Sequence, residues 1–222
     1  MKLHGVVGSP FVQRVLVAAR IKGIALELVP PPPGGLKSPE FMAISPMQRM
    51  PVLEDDDGWT LAESGAIVSY LDETQPGPSL FPEDAREAAR ARMVEMIADT
   101  ELAGGLRHII LQKLFRLHDK PDLLAYGNSQ WALGLDALEK IGIGRTGGWA
   151  VGDTPSVADA VLIPLFTLAE FTAQVSDGGQ LMGSRPAVDE YWARVRTSEL
   201  GVPVVRDLVD SLSALRQRQQ QG

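Results

Sequence analysis

The sequence predicts a small α/β domain followed by an all-helical one. Strand and helix signals alternate over about the first 75 residues. A break rich in Pro and Gly follows, Gln75-Pro76-Gly77-Pro78. Beyond it the apolar period is helical almost throughout. The expected division is a first domain over 1–76, a linker over 77–83 and a helical domain over 84–222. A chain of 222 residues is long enough to bury a core in each.

The elements follow in order. Residues 2–7 and 25–29 are strand-like, with a helix over 10–22 between them, so the two strands run parallel through a crossover. Pro30 to Pro33 forbid a continued strand or helix, and Gly34-Gly35 extend the loop. A short helix is expected over 38–44. Two short strands over 51–54 and 59–62 are joined by Asp55-Asp56-Asp57-Gly58, whose Asp-Gly pair is a hairpin signal. A helix over 64–73 closes the unit. This β-α-β, β-β-α order is that of a thioredoxin-like layer. In the second half, helical patterns run over 83–117 (weakened at Gly104-Gly105), 121–141, 156–171, 186–197 and 202–219.

Composition narrows the function. Hydrophobic residues at 45% and charged residues at 22% are those of a soluble globule. A net charge of −7 argues against a nucleic-acid surface. No cysteine is present, which excludes disulfides, cysteine-ligated zinc and a protein thiol nucleophile. His4, His108 and His118 are too few and too dispersed to suggest a metal. No apolar run reads as long enough to span a membrane, and the N-terminus lacks a signal-peptide core, so the cytoplasm is the expected location.

Two motifs read as structure. Ser156-Val157-Ala158-Asp159 has the spacing of a capping box ahead of an apolar helix, and no His lies near it in sequence. Gly142-Ile143-Gly144-Arg145-Thr146-Gly147 matches G-x-G-x-x-G literally, but it follows a helix rather than a strand. It is therefore a connector and not a nucleotide loop.

Three segments carry chemistry. Ser9-Pro10 is a strong helix start, with Ser at the cap and Pro at the first helical position; an anion is also favoured at that end of a helix. In Arg49-Met50-Pro51-Val52-Leu53 the proline suits the entry to an edge strand. Ser64 is placed to cap the following helix, and a helix N-terminus with a hydroxyl and unpaired amides is an anion site.

In this order, Ser9-Pro10-Phe11, Arg49-Met50-Pro51-Val52-Leu53 and Glu63-Ser64-Gly65-Ala66-Ile67-Val68-Ser69-Tyr70-Leu71 resemble the N-terminal half of a glutathione S-transferase. The start is similar to the tau, omega and delta types, where Ser or Cys follows the first strand. The two-domain plan extends the resemblance over nearly the whole chain. It implies a thioredoxin-like glutathione-binding domain and an all-helical domain forming an electrophile pocket. Ser9 would stabilise the glutathione thiolate. A cis Met50–Pro51 bond would present the backbone of Met50 to the cysteinyl group. Glu63 would meet the γ-glutamyl ammonium and Ser64 its carboxylate. Arg49 is read equally as a partner for the glycyl carboxylate and as an exposed arginine. Phe11, Arg107, Leu111, Phe115 and Phe166 are candidate pocket residues. The family pattern Asn-Pro-x-Gly-x-Val-Pro stands here as Ser45-Pro46-Met47-Gln48-Arg49-Met50-Pro51, with Ser for Asn, Gln for Gly and Met for Val.

The activity implied is attack of activated glutathione on a small hydrophobic electrophile, with glutathione as co-substrate, no metal, no nucleic acid or membrane partner, and a homodimeric state. Two alternatives stand beside it. One is another glutathione-dependent reaction, such as thioether or ether cleavage or isomerisation. The other is a non-catalytic binding or regulatory module on the same scaffold. The missing cysteine argues against the branch that transfers thiols through a protein Cys.

Overall fold

The computed structural model describes residues 1–117, 119–176 and 183–221. His118 therefore lies outside the described residues. The chain falls into two compact units, Met1–Leu80 with the segment from Pro203 onward, and Phe81–Val202. The C-terminal helix thus belongs with the first unit rather than with the helices before it.

The first unit holds a four-stranded sheet in the order β2-β1-β3-β4. Strand β1 (Lys2–His4) pairs in parallel with β2 (Glu27–Val29), Leu3 opposite Leu28. It pairs antiparallel with β3 (Val52–Glu54), Leu3 opposite Leu53, and β3 pairs antiparallel with β4 (Thr60–Ala62). Helix α1 (Pro10–Lys22) makes the crossover that a parallel pair requires. A 3₁₀ turn at Gly35–Lys37 and helix α2 (Pro39–Ile44) follow the proline run, and helix α3 (Ser64–Thr74) closes the layer. Leu3 and Leu53 from the sheet, Val12, Val15 and Ala18 from α1, and Ile67, Val68 and Leu71 from α3 are fully buried. The strand expected to reach residue 7 stops at His4. Gly5 then lies so close to α1 that a Cβ on it would sit 2.5 Å from Val12 Cγ2.

The end of this layer is tied by a buried cation. Lys22 Nζ donates to the Asp72 carboxylate at 3.2 Å and to the Pro78 carbonyl at 3.2 Å. One side chain thereby joins the ends of α1 and α3 to the Pro- and Gly-rich break. Gly77 is required there: at φ 109° any Cβ would fall 2.2 Å from the Lys22 carbonyl oxygen.

The second unit is helical: α4 (Ala85–Ile97), α5 (Ala103–Lys113), α6 (Pro121–Ile141), α7 (Val157–Val175) and α8 (Pro186–Val195). The long pattern over 83–117 is interrupted by a π-helical turn at Ala98–Leu102, not at the glycines. Gly104-Gly105 continue the helix, and at Gly105 helix α6 crosses at backbone distance. A Cβ on Gly105 would lie 2.6 Å from the Gly127 carbonyl. Helix α7 corrects a sequence expectation. It is long and apolar enough to cross a membrane by length and composition, yet 83% of that window is buried inside the protein. It is the central core helix, around which Phe166 packs against Trp131, Tyr191 and Trp192. Ser156 and Asp159 form the expected capping box at its start. Gly142, at φ 72°, ends α6 in the left-handed conformation, so the G-x-G-x-x-G segment serves as a helix stop. Helix α9 (Gly201–Gln221) completes the chain.

Candidate functional site

The first unit carries an open cleft of about 80 Å³ lined by Phe11, Ser45, Met47, Arg49, Met50, Pro51, Ala62, Glu63 and Ser64. All three segments singled out in the sequence therefore contribute to one surface, the first through Phe11 alone, and the other two meet there along most of its lining. They do so because β3 and β4 are neighbours. The loop entering β3 and the turn leaving β4 emerge at the same edge of the hairpin.

The loop entering β3 is built by a buried hydroxyl. Ser45, fully buried, accepts from the Arg49 N–H at 3.1 Å and donates to the Arg49 carbonyl at 2.8 Å. This closes residues 45–49 into a tight turn, with Gln48 at φ 54°. The Met50–Pro51 peptide bond is cis, as the resemblance implied. Among the described residues neither the N–H nor the C=O of Met50 meets an intrachain hydrogen-bond partner. The Arg49 side chain is exposed.

At the turn leaving β4, Glu63 holds φ 70°, ψ 116°, a backbone region that L-residues rarely enter. Ser64 is the first residue of α3 and not its cap, which corrects the expectation from sequence. The cap position is Glu63, and no side chain caps the helix. The Ser64 hydroxyl is engaged differently: Arg14 Nη1 donates to its oxygen at 3.3 Å. No side chain caps the first amides of α3, which lie at the positive end of the helix dipole.

Ser9 stands at the cap of α1, where its oxygen accepts from the Val12 N–H at 3.4 Å. That bond is long for a cap. Ser9 is half-buried and is not among the residues lining the cleft, whereas Phe11, 38% exposed, forms part of its wall. In the second unit, Arg107 is exposed on α5, Leu111 is half-buried, and Phe115, also half-buried, follows the end of α5. Phe166 is a correction. It is 0% exposed within the aromatic cluster of the core, and a side chain with no accessible surface lines no substrate pocket.

Two site residues went unrecognised in the sequence. Arg14, 2% exposed, lies behind Ser64, and Ser45 organises the Arg49 turn. Arg14 had left a signal, a lone cation inside the apolar run from Phe11 to Ala19. Ser45 left none, because a serine before proline reads as an ordinary loop residue. Among the described residues no three His, Asp or Glu side chains gather to hold a metal ion.

Residues 3–79 match the glutathione S-transferase N-terminal domain. The chain is 35% identical over 161 residues to a maleylacetoacetate isomerase of Rattus norvegicus, covering 71% of this chain and 72% of that protein. It is 32% identical over 176 residues to a maleylacetoacetate isomerase of Pseudomonas aeruginosa, covering 77% and 82%. Among solved structures, a maleylacetoacetate isomerase from Methylobacterium extorquens AM1 with bound malonate and glutathione superposes with a TM-score of 0.74 at 28% identity, covering 92% of this chain and 95% of that one. The class defined by the fold and the cleft is thus that of glutathione-binding proteins with a thioredoxin-like domain followed by a helical one. This chain belongs to the glutathione S-transferase family.

Proposed function

We infer that the protein is a glutathione-dependent cis–trans isomerase acting on a small maleyl-type diacid. The observation that carries this reading is the group of relatives at 32–35% identity whose names are those of maleylacetoacetate isomerases. Conjugation of an electrophile, the main expectation from sequence, gives way to isomerisation, which stood among its alternatives.

The chemistry needs only a bound thiolate. Glutathione lies along the cleft with its cysteinyl group on the Met50 backbone, its γ-glutamyl carboxylate at Ser64 and the first amides of α3, and its ammonium near Glu63. Arg49 faces the glycyl end. The Ser9 hydroxyl donates to the thiolate, which also lies at the positive end of α1. The thiolate adds to one olefinic carbon of the maleyl group, and the electron pair of the double bond moves onto the conjugated carbonyl oxygen. The former double bond rotates. The enolate then collapses and expels the thiolate, giving the trans isomer and regenerated glutathione. No atom or electron is gained or lost overall. Phe11, Arg107, Leu111 and Phe115 are proposed contacts for the diacid, and the assembly is proposed to be a homodimer, for which light scattering should give twice the 24.0 kDa of the chain.

The test is stoichiometric. With maleylpyruvate and a small amount of glutathione, an isomerase turns over many equivalents of diacid while free thiol stays constant. Loss of one thiol per substrate consumed would make the protein a conjugating transferase instead. No turnover and no glutathione binding at millimolar concentration would remove both enzymatic readings.

A further inference from the structure

We propose that Gln13 is a positioning residue for Ser9, holding the turn that carries the Ser9 hydroxyl by a hydrogen bond from its side-chain amide to the Val7 carbonyl. This inference rests on the glutathione reading above, in which Ser9 meets the thiolate, and it names what sets Ser9 in place.

Gln13 lies one helical turn after Ser9, on α1. Side chains on a helix lean toward its N-terminus, so a long side chain at this position reaches back over the turn that leads into the helix. It does so here. Gln13 Nε2 donates to the Val7 carbonyl at 2.9 Å, and the Gln13 N–H donates to the Ser9 carbonyl at 3.0 Å. The Ser9 N–H in turn donates to the Val6 carbonyl at 3.0 Å. One residue therefore grips both neighbours of Gly8, which brings no side chain of its own to hold the turn. The Ser9 hydroxyl does little to hold itself, since the bond it accepts from the Val12 N–H is long at 3.4 Å.

The other half of the amide argues against a packing role. Gln13 is 0% exposed, and its Oε1 is buried with no partner among the described residues. The amide cannot turn over, because that would set its oxygen against the Val7 carbonyl oxygen. Burying an unpaired oxygen is unfavourable. From Phe11 to Ala19 the chain is otherwise apolar apart from Arg14. A methionine would fill the same space with no oxygen to desolvate. What glutamine has and methionine lacks is the donor to Val7. A hydroxyl that stabilises a thiolate is sensitive to such a restraint, because a shift of about 1 Å in a group at the reacting atom can cost on the order of a hundredfold.

The test measures the thiolate and the turnover separately, on the full chain. Titrating the ultraviolet absorbance of bound glutathione thiolate gives the thiol pKa and needs no diacid. Gln13→Met should raise that pKa by about one unit, a tenfold loss of preference for the anion, and lower kcat with maleylpyruvate about tenfold. The KM for glutathione should stay within about twofold, because the peptide is held elsewhere. The melting temperature should move by less than about 4 °C, since one unpaired oxygen, Oε1, is exchanged for another, that of Val7. In a Ser9→Ala background the same change should move kcat by less than about twofold and leave the thiol pKa in place, because Gln13 acts through Ser9. If Gln13→Met does not fold, Gln13→Asn decides. It keeps the amide but is one methylene too short to reach Val7, and should lose at least threefold in kcat with a raised thiol pKa. An unchanged thiol pKa, or fully additive losses with Ser9→Ala, overturns the proposal by making Gln13 a residue of packing alone. Failure of both variants to fold does the same. Unchanged turnover in Ser9→Ala removes the role of Ser9, and the proposal with it, but leaves the isomerase reading standing. Failure of the wild type to bind glutathione is a separate outcome, and it removes the functional reading together with the proposal.

Discussion

Gln48 sits at φ 54°, where a side chain crowds the backbone and glycine does not. The family pattern has glycine at this place, so the departure noticed in the sequence has a physical meaning: the turn is kept and its conformational cost is borne by glutamine. The Ser45 hydroxyl, bonded to both backbone groups of Arg49, supplies the restraint that holds it. Gln48→Gly should then be neutral or stabilising by up to about 1 kcal/mol, the relief of a left-handed residue set against the greater freedom of the unfolded chain. Gln48→Val should be destabilising, because a β-branched residue tolerates that region least. Chemical denaturation of the two variants checks both signs. Ser9 makes the second residue-scale prediction. Its cap bond is long, so Ser9→Ala should cost at most about 1 kcal/mol of stability. Turnover should fall on the order of a hundredfold, as when one donor to a developing or bound anion is removed, while glutathione affinity stays within about threefold. Unchanged turnover would make Ser9 a cap alone.

Among elements, the start of α7 is the most constrained. Asp159 is fully buried and accepts four hydrogen bonds. They come from the Ala150 N–H at 2.9 Å, the Ser156 N–H at 3.0 Å, the Ser156 hydroxyl at 3.3 Å and the Tyr191 hydroxyl at 2.9 Å. One carboxyl thus caps α7, pins the loop before it and anchors α8. Burial pushes its pKa up from 3.8 to about 6, against the lowering effect of those donors. The folded state therefore holds the proton more tightly than the unfolded chain. The stability contributed by that proton is present in full below pH 3.8 and is lost as pH rises through about 6. Asp159→Asn should flatten the change in melting temperature across that window. Asp159→Ala should cost about 1–3 kcal/mol for each donor left without a partner, enough to unfold the second unit in a protein of ordinary stability. A melting profile with the same pH slope in Asp159→Asn would assign the slope to other groups. This box was legible in sequence because Ser-x-x-Asp is a local pattern. Its reach to Tyr191, 32 residues on, was not, because nothing local to Tyr191 marks it as a partner. The same division holds at the cleft. Glu63-Ser64 and Met50-Pro51 are contiguous motifs and could be read; Arg14 meets Ser64 only after α1 and α3 pack. Phe166 was misplaced because helical spacing fixes the face a residue shares with its neighbours. It does not say whether that face meets solvent or the aromatic cluster of the core.

For the whole molecule, the departure from the sequence reading is the last helix. Periodicity over 202–219 predicted a helix, but periodicity names no partner, and the segment from Pro203 onward belongs with the first 80 residues. Two contacts show how the chain ends are joined. Arg20 of α1 lies 3.8 Å from Asp207 of α9, and Ser211 packs directly on the backbone of Gly8. A Cβ at Gly8 would come within 2.9 Å of Ser211 Cβ, a separation that real side chains do not hold without a shift. Gly8 precedes Ser9, so α9 presses on the turn that sets the start of α1. Gly8→Ala should force α9 and that turn apart and cost about 1–3 kcal/mol, the usual range for overpacking. Since the displaced backbone bears Ser9, turnover should fall with it, while binding at Met50 and Ser64 changes little. Ser211→Gly removes the opposing Cβ. Combined with Gly8→Ala it should restore most of both the stability and the turnover, a coupling that distant, independent sites do not show. Additive losses in the double variant would mean that α9 does not bear on Gly8 in solution, and that the placement of Ser9 depends on the first 80 residues alone.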